Sequence, residues 1–386
     1  MNGTPASERL HIVLIGQRNS GKSSLLNAVT GQQVAIVSDV PGTTTDHISK
    51  AMEIVGLGPC LLVDTAGIDD CGELGAKRVD ASMDALRSAD IVLLVLDAAT
   101  SRMPVLQPVS VPVIPVLNKC DLLDAEGLSR AAAAVEAEYG KAPVCVSATG
   151  REGISALIDE IRANIPEDWG APLLTAGLVD EAALVVLVMP QDIQAPKGRL
   201  ILPQQQTIRE LLDRRCRTVC CAPDTLSATL SSLKETPDAV IADSQVLGLI
   251  KPLVPDGVKL TSFSMLLAAS KGDIGFFKKS ARKIDELGPE SRVLIAEACT
   301  HVPVSEDIGR VKIPRMLRSR AGESLKVDFC SGRDFPDDLS PYDLVIHCGA
   351  CMFNRRYVMA RVEQAERQGV PMTNYGVTIA YINNLL

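Results

Sequence analysis

A chain of 386 residues with 46% hydrophobic and 22% charged side chains should fold, and it exceeds what one core usually supports, so two or three domains are expected. A net charge of -8 and a pI near 5.2 argue against a broad electrostatic surface for nucleic acid or anionic lipid. Aromatic residues make up only 3%, so the cores must be filled by Val, Leu, Ile and Ala, which favours buried parallel strands.

The first residues, up to Gly16, lack the basic-then-apolar pattern of a signal segment, and no apolar run approaches bilayer length. A cytoplasmic location with neither membrane nor nucleic-acid partner is the expectation. In a reducing compartment the eleven cysteines are thiols or metal ligands rather than disulfides. Cys60, Cys71, Cys120, Cys145, Cys216 and Cys330 stand singly and read as small apolar residues, and Cys220-Cys221 as part of a strand.

From Leu10 an apolar run enters Gly16-Gln17-Arg18-Asn19-Ser20-Gly21-Lys22-Ser23, followed by apolar residues at helical spacing. This strand, loop and helix fit the phosphate loop G-x-x-x-x-G-K-S/T. Its glycines let backbone N-H groups converge on phosphates, Lys22 reaches the β and γ phosphates, and Ser23 can ligate Mg2+. Gly16, Asn19, Ser20, Gly21, Lys22, Ser23 and Ser24 are the candidate phosphate-side contacts.

Leu61-Leu62-Val63 then leads into Asp64-Thr65-Ala66-Gly67: the acid can hold the magnesium shell, and Gly67 can swing toward a γ-phosphate. The run ending in Asn118-Lys119-Cys120-Asp121 places a carboxylate, Asp121, that can accept from both guanine N1-H and the 2-amino group. Adenine offers no such donor pair. Ser147-Ala148-Thr149, at a further strand end, suits guanine O6 through backbone amides. Four motifs in this order define a guanine-nucleotide domain over residues 8–166, with GTP and Mg2+ as cofactors.

Pro41-Gly42-Thr43-Thr44-Thr45-Asp46, with the helical stretch after Gly67, resembles bacterial GTPases of the tRNA-modification and ribosome-assembly type, the Era/TrmE-like group. The resemblance implies Thr44 as the switch threonine on Mg2+, beside Lys22, Asp64 and Gly67 in the catalytic set. Ile68 follows Gly67 where Ras-like proteins carry a water-orienting glutamine, so slow intrinsic hydrolysis is expected. Asn19 occupies the position at which related potassium-stimulated GTPases hold K+; the plainer reading is a loop-capping amide.

Residues 163–182 mix Pro, Gly, acids and the single Trp169, and read as a connector. A second α/β unit, residues 175–262, follows. The stretches 183–190, 198–203, 218–222 and 238–243 read as short strands, and 206–215, 224–233 and 244–254 as helices between them. No catalytic constellation stands out there, so scaffolding or dimerisation is its expected role. The third unit, residues 265–386, carries two apolar strand candidates that each run into metal-type ligands: Cys299 and His301 after one, His347, Cys348 and Cys351 after the other. If the sheet is parallel, both groups fall at strand carboxyl ends, where open α/β folds place their sites. Cys-x-His with His-Cys-x-x-Cys admits tetrahedral zinc. It equally admits a [4Fe-4S] cluster on three thiolates, with the fourth iron left to histidine, water or an incoming ligand. Spacing does not separate the two.

A GTPase unit of this type, an α/β middle without a site of its own, and a C-terminal C-x-H followed by H-C-x-x-C together resemble the HydF family over the full chain. That resemblance implies that Cys299, Cys348 and Cys351 ligate a [4Fe-4S] cluster, with His301 or His347 near or on the exchangeable iron. It also implies a homodimer joined through the middle unit. It further implies a scaffold on which a di-iron precursor is assembled with two radical-SAM partner enzymes and then passed to apo FeFe hydrogenase. The competing readings are a tRNA-modification or ribosome-associated GTPase with a structural zinc, and a metal-delivery GTPase.

Overall fold

The computed structural model describes residues 4–31, 48–65, 85–100, 104, 109, 111–167, 169, 172–190, 200–298, 307–332, 334–351 and 353–386. The expected site residues Thr44, Gly67, Cys299 and His301 lie outside them, as do Ala66, Ile68 and Cys71. The chain divides into two compact units, Met1–Gly170 and Ala171–Leu386.

The first unit is built on β1 (Leu10–Ile15), α1 (Lys22–Thr30), β2 (Ile48–Ile54), β3 (Gly58–Asp64), β4 (Ile91–Asp97), β5 (Val113–Asn118), α2 (Ala125–Tyr139), β6 (Val144–Cys145) and α3 (Ile154–Ala163). The strands form one six-stranded sheet in the order β2-β3-β1-β4-β5-β6. Pairing is parallel except for β2, which runs antiparallel to β3. Every side chain of β1 is buried, as a strand covered on both faces requires. Leu10, Ile12 and Leu14 pack with Leu25, Leu26, Leu157 and Ile161 on one face, while Val13 and Ile15 pack with Leu94, Leu117 and Val135 on the other. The carboxyl ends of β1, β3, β4 and β5 therefore line one edge, where the motifs sit.

The second unit carries two four-stranded parallel sheets. The first contains β7 (Leu184–Val188), α4 (Leu202–Asp213), β8 (Arg217–Cys221), α5 (Leu226–Ser232), β9 (Ala239–Ala242), α6 (Leu247–Ile250), β10 (Lys259–Ser262) and α7 (Phe263–Lys271). The second contains α8 (Ile274–Ala281), β11 (Arg292–Glu297), a π-helical turn Ile308–Lys312 running into α9 (Ile313–Ala321), β12 (Lys326–Ser331), β13 (Leu344–His347), α10 (Arg355–Arg367), β14 (Met372–Asn374) and α11 (Tyr375–Ile382). Their orders, β10-β9-β7-β8 and β12-β11-β13-β14, are the same: the first strand is central, the second lies on one side, and the third and fourth lie on the other. Each order reverses between its first and third strands, which is where such sheets open a crevice.

Of the strand expected at 198–203, the described residues 200–203 form none. Leu202 and Pro203 begin α4, and the Gln204 side chain accepts from the Ile201 amide at its start. A proline in the first helical turn loses no hydrogen bond, so an apolar run read as extended is a helix entry instead. The helix expected at 244–254 is broken into short turns around α6, the last of which contains Pro252.

Candidate nucleotide and metal sites

In the first unit, β1 delivers the loop that begins at Gly16. A Cβ there would stand 2.2 Å from the Val95 carbonyl oxygen, so the loop can lie this close to β4 only with glycine. Gly21, in the left-handed region at φ +89, starts α1; a Cβ on it would stand 2.2 Å from Asn118 Nδ2. Lys22 is buried, and its ammonium donates to the carbonyls of Gly16 (3.0 Å) and Gln17 (2.9 Å), so the charge is held inside the loop's curve. Ser23 Oγ donates to Asp64 Oδ2 at 2.5 Å, bringing together the two groups assigned to the magnesium shell. Ser24 follows on the first turn of α1, half-buried. Ser20 is buried, while Asn19 is exposed and left-handed at φ +62, a conformation asparagine tolerates better than most residues.

Asn118 ties the phosphate loop to the base-side strands. Its Nδ2 donates to the Ser20 carbonyl at 2.9 Å, and its Oδ1 accepts from the Ala148 amide at 3.1 Å. Lys119, left-handed at φ +63, donates to Asp97 at 2.7 Å. Asp121 stands exposed in the following turn, and Ser147 Oγ accepts from the Gly150 amide at 3.0 Å. The buried asparagine holds the loops in register, and the Asp121 carboxylate faces solvent.

In the second unit, β11 and β13 are paired neighbours, with Ala296 opposite His347. The Cys348 amide donates to the Ala296 carbonyl at 2.8 Å. The Cys348 thiol in turn accepts from the Ala298 amide at 3.1 Å and from the Ala350 amide at 3.4 Å. Ala298 immediately precedes Cys299 in the chain, so the end of β11 and the turn after β13 meet at the Cys348 sulfur. Ala350, left-handed at φ +47, turns the chain toward half-buried Cys351. Among the described residues no three His, Cys, Asp or Glu side chains converge as a ready metal site. The donor chemistry nevertheless fits a sulfur-ligated group, because backbone amides aimed at a sulfur favour the thiolate that soft metals require.

His347 is fully buried beneath this turn. Its Nδ1 lies 2.7 Å from the Cys348 carbonyl, and its Nε2 lies 2.9 Å from the Arg361 guanidinium. Since Arg361 can only donate, Nε2 accepts and Nδ1 carries the proton, leaving both ring nitrogens engaged. Burial, followed by the Arg361 charge, pushes its pKa down to about 3, so the ring stays neutral. Arg361 lies over the rings of Phe335 (4.4 Å) and Tyr357 (4.5 Å) and also donates to the Gly332 carbonyl at 2.6 Å. Asn374 Nδ2 donates to the Cys348 carbonyl at 3.1 Å. Nearby, the buried Glu297 carboxylate accepts from Arg310 at 2.9 and 3.2 Å, and Arg310 also reaches Ser331 Oγ at 3.1 Å. Burial, then the charges of Cys348, Glu297 and Asp307, raise the Tyr375 phenol above its ordinary range. Sequence reasoning missed Ala298, Arg361, Asn374 and Tyr375. The one available signal was Asn-Tyr-Gly at the end of a short apolar strand, the same sheet edge as the cysteines.

The remaining described cysteines are free, and Cys330 lies on β12 opposite Ala296. Burial raises the thiols of Cys60 and Cys330 to about 11 and that of Cys120 to about 12, which suits small apolar packing rather than reactivity. Cys220 is exposed on β8.

Three family models match the chain: a 50S ribosome-binding GTPase over residues 11–119, a Hydrogen maturase F dimerization domain over 174–272, and a Hydrogen maturase F tetramerization domain over 275–386. Among curated proteins, the tRNA modification GTPase MnmE of Paraburkholderia xenovorans (strain LB400) is 37% identical over 169 residues, 41% of this chain and 35% of that protein. MnmE of Methylococcus capsulatus is 37% identical over 164 residues, with the same shares of each chain. The chain thus spans about a third of the length of these curated relatives. Among solved structures, an Aquifex aeolicus Era variant bound to GDP.AlF4- aligns at a TM-score of 0.39 and 20% identity, over 55% of this chain and 92% of that one. NFeoB from S. thermophilus bound to GDP.AlF4- and K+ aligns at 0.31 and 23%, over 41% and 64%. The two hydrogen-maturase matches together cover more than half of the residues and follow a GTPase match, so the chain belongs to the HydF family.

Proposed function

We propose that this chain is a GTP-hydrolysing maturation factor whose C-terminal sheet holds a [4Fe-4S] cluster on Cys299, Cys348 and Cys351. It serves as the scaffold and carrier that assembles a di-iron precursor and transfers it to apo FeFe hydrogenase. The carrying observation is the Cys348 sulfur, which accepts the amide of Ala298, the residue that precedes Cys299 in the chain; this supports a shared site for cysteines 49 positions apart in sequence. When bound, the cluster supplies an iron open to an exchangeable ligand. In this reading His301 stays a candidate near that iron, whereas His347, with both nitrogens engaged, holds the Cys348 backbone in place.

Residues 8–166 act as the GTP switch, 175–262 join a homodimer and 265–386 carry the cluster. Lys22, Thr44, Asp64 and Gly67 form the hydrolytic set with Mg2+ on Ser23 and Thr44. Gly16, Asn19, Ser20, Gly21, Ser23 and Ser24 cradle the phosphates; Asn118, Lys119, Asp121, Ser147 and Ala148 select guanine. GTP binding reorders the segments around Thr44 and Gly67 and changes contacts with partners, among them radical-SAM maturation enzymes, in the cytoplasm.

Anaerobic reconstitution with iron and sulfide tests the cluster. The expected result is about four irons per chain and an S = 1/2 EPR signal after dithionite reduction. Stoichiometric zinc without sulfide would sink the reading in favour of a GTPase with a structural metal. Hydrolysis is expected to be slow and faster in potassium than in sodium salts, because Asn19 helps hold the monovalent cation. Equal rates in the two salts would remove that role from Asn19.

A further inference from the structure

Tyr375 is the first residue of α11, directly after the Asn374 that donates to the Cys348 carbonyl. Its hydroxyl is fully buried and has no hydrogen-bond partner among the described residues. The hydroxyl is seated against Gly309, where a Cβ would stand 2.0 Å from the phenol oxygen, so the ring reaches this depth only over a glycine. Cys348, Glu297, Asp307 and Arg310 are the charged or ionisable groups that face it.

Both nearby carboxylates have donors elsewhere. Glu297 Oε2 takes two nitrogens of Arg310, and Asp307 Oδ1 accepts from the Arg310 amide at 2.7 Å as the cap of the π-helical turn. A buried hydroxyl left without an acceptor is less favourable than the phenylalanine that would fill the same space. Asn374 lies opposite His347 in the β13–β14 pairing, so Tyr375 follows beside the Cys348 turn, and Cys348 is the charge that acts most strongly on the phenol.

We propose that the Tyr375 hydroxyl donates a hydrogen bond to the sulfur-ligated group at Cys348, as a third donor beside the Ala298 and Ala350 amides. This rests on the cluster reading above. Hydrogen bonds to cluster sulfurs stabilise the reduced, more negative state and so raise the reduction potential. Tyr375 is thus a positioning residue that sets how readily the cluster takes an electron, without ligating it.

The test compares the full chain with Tyr375→Phe and Gly309→Ala after anaerobic reconstitution, using iron and sulfide content, a potentiometric titration and the EPR g values. Tyr375→Phe should retain iron and sulfide while its midpoint potential moves to more negative values and its g values shift. Gly309→Ala, which forces the ring outward, should move the potential in the same direction. A Tyr375→Phe cluster with the parent potential and spectrum overturns the proposal and leaves the cluster reading standing. If Tyr375→Phe does not fold, Gly309→Ala decides: a negative shift supports the proposal and an unchanged potential overturns it. A parent chain that binds zinc alone overturns the cluster reading and this proposal with it.

Discussion

Lys22→Ala weakens GTP binding by at least about 100-fold, measured by titration with a fluorescent guanine nucleotide, and leaves the iron content of the reconstituted chain unchanged. The ammonium sits inside the loop on the carbonyls of Gly16 and Gln17, where it can turn toward two phosphates by exchanging neutral partners for charged ones. Two charge-assisted bonds at roughly 1.5–3 kcal/mol each account for the loss. Alanine leaves the fold intact, since the neighbouring Gly16 and Gly21 contacts are backbone features. Near-normal affinity in this variant would mean that the loop amides alone hold the triphosphate. Loss of iron as well would contradict a separation between the two functions.

Cys348→Ser is the complementary case: iron and sulfide uptake collapse and the S = 1/2 signal disappears, while GTP is still bound. The serine oxygen is harder and its bond to Cβ shorter, so it neither suits a soft metal nor reaches the point where the Ala298 and Ala350 amides converge. Because His347 is clamped between the Cys348 carbonyl and Arg361, it is not free to replace the missing sulfur. Full iron loading with an unchanged spectrum would exclude Cys348 as a ligand.

Motifs with a short reach in sequence were the legible part. The phosphate loop, Asp64, Asn118 and Ser147 declare themselves because each ends an apolar strand, and the parallel order of the sheet carries them to one edge. The same logic placed β11 and β13 side by side in a parallel sheet, so the sequence that follows each begins at the same edge. Periodicity failed at 198–203, where an apolar stretch before a proline is ambiguous between strand and helix entry. It was also silent about Arg361, 14 residues beyond His347 on α10, since nothing in a helical surface pattern reveals that an arginine is turned inward between two aromatic rings. Tyr375 escaped notice for a related reason: its significance depends on Gly309, 66 residues earlier.

The cysteine turn stands at the rim of a sheet whose interior is closed by Val293, Ile295, Ile313, Leu317, Val345 and Val362, none of them a ligand. In small zinc modules the metal is the core, and removing it melts the fold. Here the core is drawn from residues other than the cysteines, so a group gained or lost at the cysteine turn leaves the folding energy of the sheet in place, as a socket keeps its shape whether filled or empty.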